Sequence, residues 1–288
     1  LSLHDALPIY AWRINTGASN WCAAWIFAKY RLSDGIWRHA TLSNLSAHHN
    51  MPENVTGNPA SDGKGIFIFD SRENAGEFDF SASGISLRWN YRSDGVSDGE
   101  ESIEIKLFGI EMVYIPESSF YLVSGGTEPY AFYQYPTTST PFQVTSESSI
   151  AVGQSNGNLY YDVDTDYSGD GLGPVGDLFP KGFKGFYVMR YEISQQQYVD
   201  FLNTLTRNQQ QTRTNSNVSG DIINQYFVMS GTVSMVSRNG ISCNMNGNGT
   251  TQPINFYCDF NENRIGNEAG DGQTIACNFL SWADGMAY

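Results

Sequence analysis

Two stretches of this chain gather oxygen donors at the alternating spacing that a hard cation needs. Asp162, Asp164 and Asp166, with Asp170 just beyond, form the first. In an extended loop alternate side chains point the same way, so three carboxylates converge, as Ca²⁺ requires. The pattern is like the first half of an EF-hand loop, but Tyr167 stands where the turn glycine belongs and no closing glutamate follows around Pro174. A solvated acidic loop is the alternative. Asp259, Asn261 and Asn263, with Glu268 and Asp271 further on, form the second stretch. Arg264 occupies its expected glycine position, and the alternative is a loop built from Asx turns and tied down by the flanking Cys258 and Cys277. Calcium is the one cofactor that these donor sets suggest.

The four cysteines are Cys22, Cys243, Cys258 and Cys277. None forms a C-x-x-C pair, so their spacing does not indicate zinc. In an exported protein, Cys243–Cys258 or Cys258–Cys277 would staple the Asn/Gly-rich last quarter. Buried free thiols are the alternative. Of the histidines, His39 falls on an expected strand, and His48 and His49 are neighbours in a polar loop with no ligand-spaced partner. The chain has no Ser/His/Asp order, phosphate-cradling glycine motif or H-E-x-x-H. Tyr130, Phe132, Tyr133, Tyr135, Tyr160 and Tyr161 lie in loops, where they either make a surface for a glycan or protein ligand or pack on one another.

The elements that must position these groups are mostly strands. Ala23 to Arg31 is aromatic and partly alternating, and Trp37 to Leu42 follows after the turn residues Ser33, Asp34 and Gly35, which predicts a hairpin. Gly65 to Phe69 is a short apolar strand. Ile85, Leu87, Trp89 and Tyr91 alternate on one face, and Ile103 to Phe108 alternates again. Five or so strands without a convincing helix predict an antiparallel β-sandwich-like domain over residues 10–108. Gly185 opens a strand over Phe186 to Tyr191. Ser194 then sits as an N-cap, with Gln197 completing a capping box, and Tyr198, Phe201, Leu202 and Leu205 mark one buried helical face. Ser281 and Asp284 repeat the capping pattern near Tyr288. Residues 124–180 and 206–275 read as long surface loops, with a short strand at Phe142 to Val144.

Three blocks together resemble the formylglycine-generating enzyme, or sulfatase-modifying factor, family. Glu111 to Pro116 with Ser119 and Phe120 is similar to that family's M-V-x-I-P-G-G-x-F opening, with Glu117 and Ser118 in place of the two glycines. Phe186 to Phe201 is similar to its strand and E-V-T helix start, with Glu192, Ile193 and Ser194 at the E-V-T positions. Cys277 to Tyr288 is similar to its V-S-W-x-D-A-x-A-Y segment. The blocks stand in family order. The resemblance implies that residues 109–288 are the first part of an irregular α+β domain of the C-type-lectin-like kind, continuing past Tyr288. It implies structural roles for Glu192, at the helix start, and for Trp282 and Asp284. The family's active-site cysteine pair, which holds copper, matches none of the four cysteines here, so copper belongs to this protein only if a segment beyond Tyr288 carries that pair. At the other end, residues 1–9 resemble a translated sequencing adapter, so His4 and Asp5 are set aside.

Composition narrows the function classes. Aromatic residues make up 14% of the chain and hydrophobic residues 40%, enough for packed cores rather than disorder. The net charge of −14 argues against nucleic acid and anionic membranes as partners. No apolar run is long enough to span a bilayer. The expectation is therefore an α+β fragment of a secreted, cell-surface or periplasmic bacterial protein. Its leading reading is a non-catalytic binding or scaffold module. The alternative is the N-terminal part of a copper-dependent oxidase that converts a sulfatase cysteine to formylglycine.

Overall fold

The strand expected over Ala23–Arg31 forms over those residues (β1) and lies at the centre of the largest sheet. Its alternation separates two faces. Ala24, Ile26, Ala28 and Tyr30 are buried, while Trp25, Phe27, Lys29 and Arg31 are half-buried on the other side. The predicted hairpin follows. Gly35 takes φ +74°, which a glycine adopts without steric cost, and Trp37–His39 (β2) returns to pair Lys29 with His39 and Arg31 with Trp37. Val55–Pro59 (β3) and Ile66–Asp70 (β4) pair antiparallel, and β4 joins the same edge of β1 as β2 does.

Glu104–Ile115 (β5) covers the whole of the opposite edge of β1, from Arg31↔Glu104 to Ala23↔Met112. Its last residues also pair with Phe186–Met189 (β6), in the register Met112↔Met189 to Ile115↔Phe186. The sheet order is β6–β5–β1–β4–β3, with β2 beside β1. The 108/109 division expected from sequence thus falls inside one continuous strand. These observations come from a computed structural model that describes residues 2–3, 9–13, 22–72, 76–99, 102–122, 132–137, 139–160, 173–214, 226–243 and 251–288. Smaller antiparallel pairs flank the main sheet: Ser2–Leu3 with Ile85–Ser86, Ile9–Arg13 with Gly76–Phe80, Phe120–Leu122 with Phe142–Val144, and Tyr133–Gln134 with Leu159–Tyr160. The fold is therefore a mostly β, α+β arrangement of antiparallel sheets. No helix among the described residues is long and apolar enough to cross a membrane.

The buried face of β1 and β4 packs against Leu42, Ile85 and Leu87, and Ala28, Tyr30, Ala40 and Val96 continue that core. The segment expected as a strand from Ile85 to Tyr91 is one only at Ile85–Ser86, and it turns into a 3₁₀ segment at Tyr91–Asp94. Asp94 is the physical reason. Its carboxylate accepts the Thr41 amide (2.8 Å), the Thr41 hydroxyl (2.6 Å) and the Trp89 indole N–H (2.7 Å), and its carbonyl accepts the Tyr30 hydroxyl (2.9 Å). Charge-assisted bonds from three donors outweigh continued strand pairing.

The helix predicted after Ser194 forms as Gln195–Leu202 (α1) with its capping box intact: Ser194 Oγ accepts the Gln197 amide (3.2 Å) and Gln197 Oε1 accepts the Ser194 amide (2.9 Å). The expected loop over 206–275 contains more order than its composition suggested. Arg207–Arg213 (α2) is a helix with its own Thr206–Gln209 capping box, and Tyr226–Phe227, Ile241–Cys243 and Phe256–Cys258 form a three-stranded antiparallel sheet. Tyr198, Leu202, Met229, Ile241 and Phe256 are buried between these pieces, and each such side chain contributes about 1.5–3 kcal/mol on burial. Buried amides stitch the helices to the strands. Asn203 both donates to and accepts from the Phe256 backbone (2.9 and 2.8 Å). Gln210 donates to the Leu202 and Ile254 carbonyls (3.0 and 2.9 Å) and accepts the Ile254 amide (2.9 Å). The final helix, Trp282–Ala287 (α3), starts at the expected Ser281–Asp284 capping box.

Candidate functional site

The half-buried face of β1 makes the floor of a cleft of about 340 Å³. Cross-strand pairing sets its layout. Phe27 lies opposite Phe108 and Trp25 opposite Ile110, while Lys29 lies between His39 and Lys106. Phe27 and Phe108 stack with ring centroids 4.9 Å apart and planes 10° apart, and His39 continues the row at 5.5 Å from Phe27. Trp25 bends over Gly65, where a Cβ would sit 2.2 Å from its ring, so only glycine leaves the indole room to lie there. Helix α1 and the residues around it supply the opposite wall with Gln197, Asp200, Phe201 and Thr204, joined by Tyr288, whose ring meets Phe201 at 5.5 Å.

The polar groups of the cleft are few and perturbed. The Lys29 ammonium donates to the Thr204 hydroxyl (2.9 Å), which in turn donates to the Phe201 carbonyl (2.8 Å), and burial lowers the Lys29 pKa. Burial also lowers that of His39; the Ala40 carbonyl opposes the shift, and the charges of Lys64 and Lys29 add to it. Asp200 is raised by burial against the opposing Gln196 amide bond (2.9 Å) and Lys106. Tyr288 is pushed up to about 12 by burial, with Asp200 adding to it. The cleft thus joins an aromatic floor to a small set of fixed donors and acceptors, the usual make-up of a small-ligand site. A second, roomier cleft of about 480 Å³ lies beside Tyr191, Ile193 and Leu280. Its Arg190 already faces Glu111 (3.7 Å) and its Asp284 is held by Ser281 and Arg213, so it offers fewer free polar groups.

Asp162, Asp164 and Asp166 lie outside the described residues, as do Asp170, Tyr130 and Tyr161. Asp259 is fully buried, and its oxygens accept the loop's own amides, Asn263 at 3.1 Å and Arg264 at 2.9 Å. Asn261 accepts the Asn263 amide (3.0 Å), and Asn263 accepts the Ile265 amide (2.8 Å) and donates to Glu268 (2.8 Å). These are the bonds of the Asx-turn alternative. Among the described residues no three His, Cys, Asp or Glu side chains gather as metal ligands. All four thiols are free. Cys243 and Cys258 lie on neighbouring strands two positions out of register, since Cys243 pairs with Phe256 and Cys258 with Ile241. Burial pushes Cys243, Cys258 and Cys277 each up to about 12. Copper would need a facing pair of thiols, which the offset Cys243 and Cys258 do not give it.

The remaining expectations separate cleanly. His48 meets the Ser43 hydroxyl (2.8 Å), and buried His49 bridges the Ser43 carbonyl (2.8 Å) and the Arg88 amide (3.2 Å), so both shape a loop. Tyr160 takes Tyr133 and Tyr135 edge-on at 5.5 and 5.7 Å, so these loop aromatics pack on one another, while Phe132 stays exposed. Glu192 is exposed and Trp282 is 81% exposed, so neither ties the helix starts as expected; Ser194, Gln197, Ser281 and Asp284 do. The residues that sequence reasoning missed are Lys29, Lys64, Gln197, Asp200 and Thr204. One signal was available, because the second face of β1 reads Trp, Phe, Lys, Arg, which is neither plain core nor plain surface. No family model, curated protein or solved structure matches the chain.

Proposed function

We propose that this chain is a non-catalytic binding module on a sulfatase-modifying-factor-like scaffold, acting outside the cytoplasm, and that its ligand, a glycan or a protein segment, sits in the cleft between the main sheet and helix α1. The observation that carries this reading is the composition of that cleft: stacked aromatic residues below, with the polar side chains of Gln197, Asp200 and Thr204 along one wall. The scaffold part is supported by how the three family-like blocks meet. The first pairs with the second through β5 and β6, and the second meets the third through the Cys277 amide, which donates to the Ile193 carbonyl (2.8 Å), and through the Phe201–Tyr288 ring contact.

The test sets binding against oxidation. The full chain is incubated with copper, oxygen and a cysteine peptide of sulfatase type, and the peptide is followed by mass spectrometry. The expected result is an unchanged thiol. Conversion to the aldehyde overturns the binding-module reading in favour of the oxidase. Glycan and peptide arrays probed with the same protein should give signals that weaken when Phe108→Ala removes part of the floor.

A further inference from the structure

Two of the chain's five lysines, Lys29 and Lys64, line one cleft in a protein of net charge −14, and a third, Lys106, is the cross-strand neighbour of Lys29. Lys29 and Lys106 are direct cross-strand partners, an arrangement that is destabilising for like charges. His39, on the other side of Lys29, supplies no compensating negative charge. Lys29 is half-buried and has only a neutral hydroxyl as its partner (2.9 Å); Lys64 reaches the Thr41 hydroxyl at 3.4 Å, and Lys106 lies 4.9 Å from the centre of the Trp37 ring. No carboxylate of a described residue lies within 4 Å of any of the three ammonium groups. Asp200 on the facing wall acts on Lys106 at longer range, while Lys29 keeps a partly desolvated charge with no carboxylate in contact, which is costly. A ligand that brings the counter-charge removes that cost.

The rest of the cleft narrows the ligand. The Trp25 indole lies over Gly65 with Phe67 tilted against it at 4.6 Å, and its remaining surface lines the cleft as an apolar patch. Phe27 and Phe108 stack on one another beside it, so each ring covers one face of the other. Gln197 and Asp200 stand on the facing wall; beyond the bonds of Gln197 Oε1 to the Ser194 amide and of Asp200 Oδ1 to Gln196, the Gln197 amide N–H2 and the second Asp200 oxygen are a donor and an acceptor suited to hydroxyl groups. We infer that the cleft binds a carboxylate-bearing sugar ring of the uronic-acid class, its ring on Trp25, its hydroxyls at Gln197 and Asp200, and its carboxylate between Lys29 and Lys64. This inference rests on the binding-module reading and names the chemistry of its ligand.

The probes are methyl β-glucuronide and methyl β-glucoside, which differ only in a carboxylate replacing the hydroxymethyl group. Each is titrated into the full chain by calorimetry. The glucuronide should bind at least tenfold tighter at low salt, and the preference should shrink as salt screens the charges. Lys29→Met and Lys64→Met should each cut the preference severalfold while leaving glucoside binding in place. Lys64 is exposed on a loop, so its variant keeps the test open if Lys29→Met disturbs the central strand. Equal affinity for the two sugars overturns the anion seat and leaves the binding-module reading standing. A glucuronide preference that survives in a folded Lys64→Met variant and in a folded Lys29→Met variant also overturns it, as does binding of neither sugar. Aldehyde formation in the peptide assay strikes the wider reading instead, so the two failures are distinguishable.

Discussion

Gly65→Ala tests the floor of the cleft most directly. A Cβ on residue 65 would stand 2.2 Å from Trp25 Cζ2 and 2.6 Å from Cε2 and Cη2, all atoms of one rigid ring. An ordinary carbon contact is about 3.5–4.0 Å, so the indole must retreat by about 1.5 Å. Overpacking of this kind costs about 1–3 kcal/mol. Against it stands the usual gain of about 0.4–1 kcal/mol when alanine replaces glycine at a compatible backbone position. The clash is the larger effect, and the net change is destabilising. With about 2.1 cal/mol/K of unfolding entropy per residue, cooperative unfolding of the 288-residue chain would turn an overpacking cost of 1–3 kcal/mol into a Tm loss of roughly 2–5 °C before that offset. Gly99→Ala is the control, since nothing lies within 4 Å of its Cβ position, and it should be neutral or slightly stabilising. The assays are thermal unfolding and the indole N–H resonances, where one of the six tryptophans should move. A Gly65→Ala protein with wild-type or higher Tm and an unmoved indole spectrum would refute the placement of Trp25, and with it the sugar platform.

Three further outcomes are expected. Gln210→Leu strands the buried Ile254 amide and two carbonyls, and should cost about 1–3 kcal/mol in denaturant unfolding; no loss would mean that this amide does not join α2 to the Ile254 segment. Burial alone would raise the Asp284 carboxyl, but the Ser281 amide and hydroxyl and the Arg213 guanidinium hold it below the usual carboxylate range. Its stabilising contribution is therefore complete above the unfolded-state value, about 3.9, and is lost as pH falls through the lower folded-state value. Asp284→Asn should be less stable than wild type at pH 7, and the gap should close in acid; a gap that is constant with pH would count against the ionised cap. Thiols with pKa of about 12 are ionised to only about one part in ten thousand at pH 8, so Cys243, Cys258 and Cys277 should resist iodoacetamide in the native state and react in urea. Rapid native labelling of Cys243 or Cys258 would refute their buried placement.

Local signals in the chain were strong enough to mark several elements alone. The alternation of Ala23–Arg31, the Gly35 turn, and the Ser194–Gln197 and Ser281–Asp284 capping boxes each need only residues within one turn or one strand to act. Where a distant partner intervened, local reading failed. Asp94 pulled Thr41 and Trp89 together and ended a strand that periodicity extended to Tyr91. The Thr206–Gln209 capping box of α2 was present in the sequence, but the polar composition around it read as loop; Gln210 stabilises that helix by bonding Ile254, 44 positions away.

The candidate site depended on tertiary structure almost entirely. Composition and period determined that β1 would have an apolar face and a mixed one. They did not determine that Lys29 would stand between His39 and Lys106, because register across three strands is set by pairings between segments far apart in sequence. Nor did they determine that α1 would lie over that face, bringing Thr204 to Lys29 across 175 residues. Conversely, the acidic Asp259 loop carried the clearest ligand-like spacing, yet the fold turned its oxygens onto its own backbone amides. Spacing along a chain fixes which side chains are neighbours only inside a helix, a strand or a tight turn. Which polar groups are left to meet a ligand is decided by what the folded chain has already satisfied.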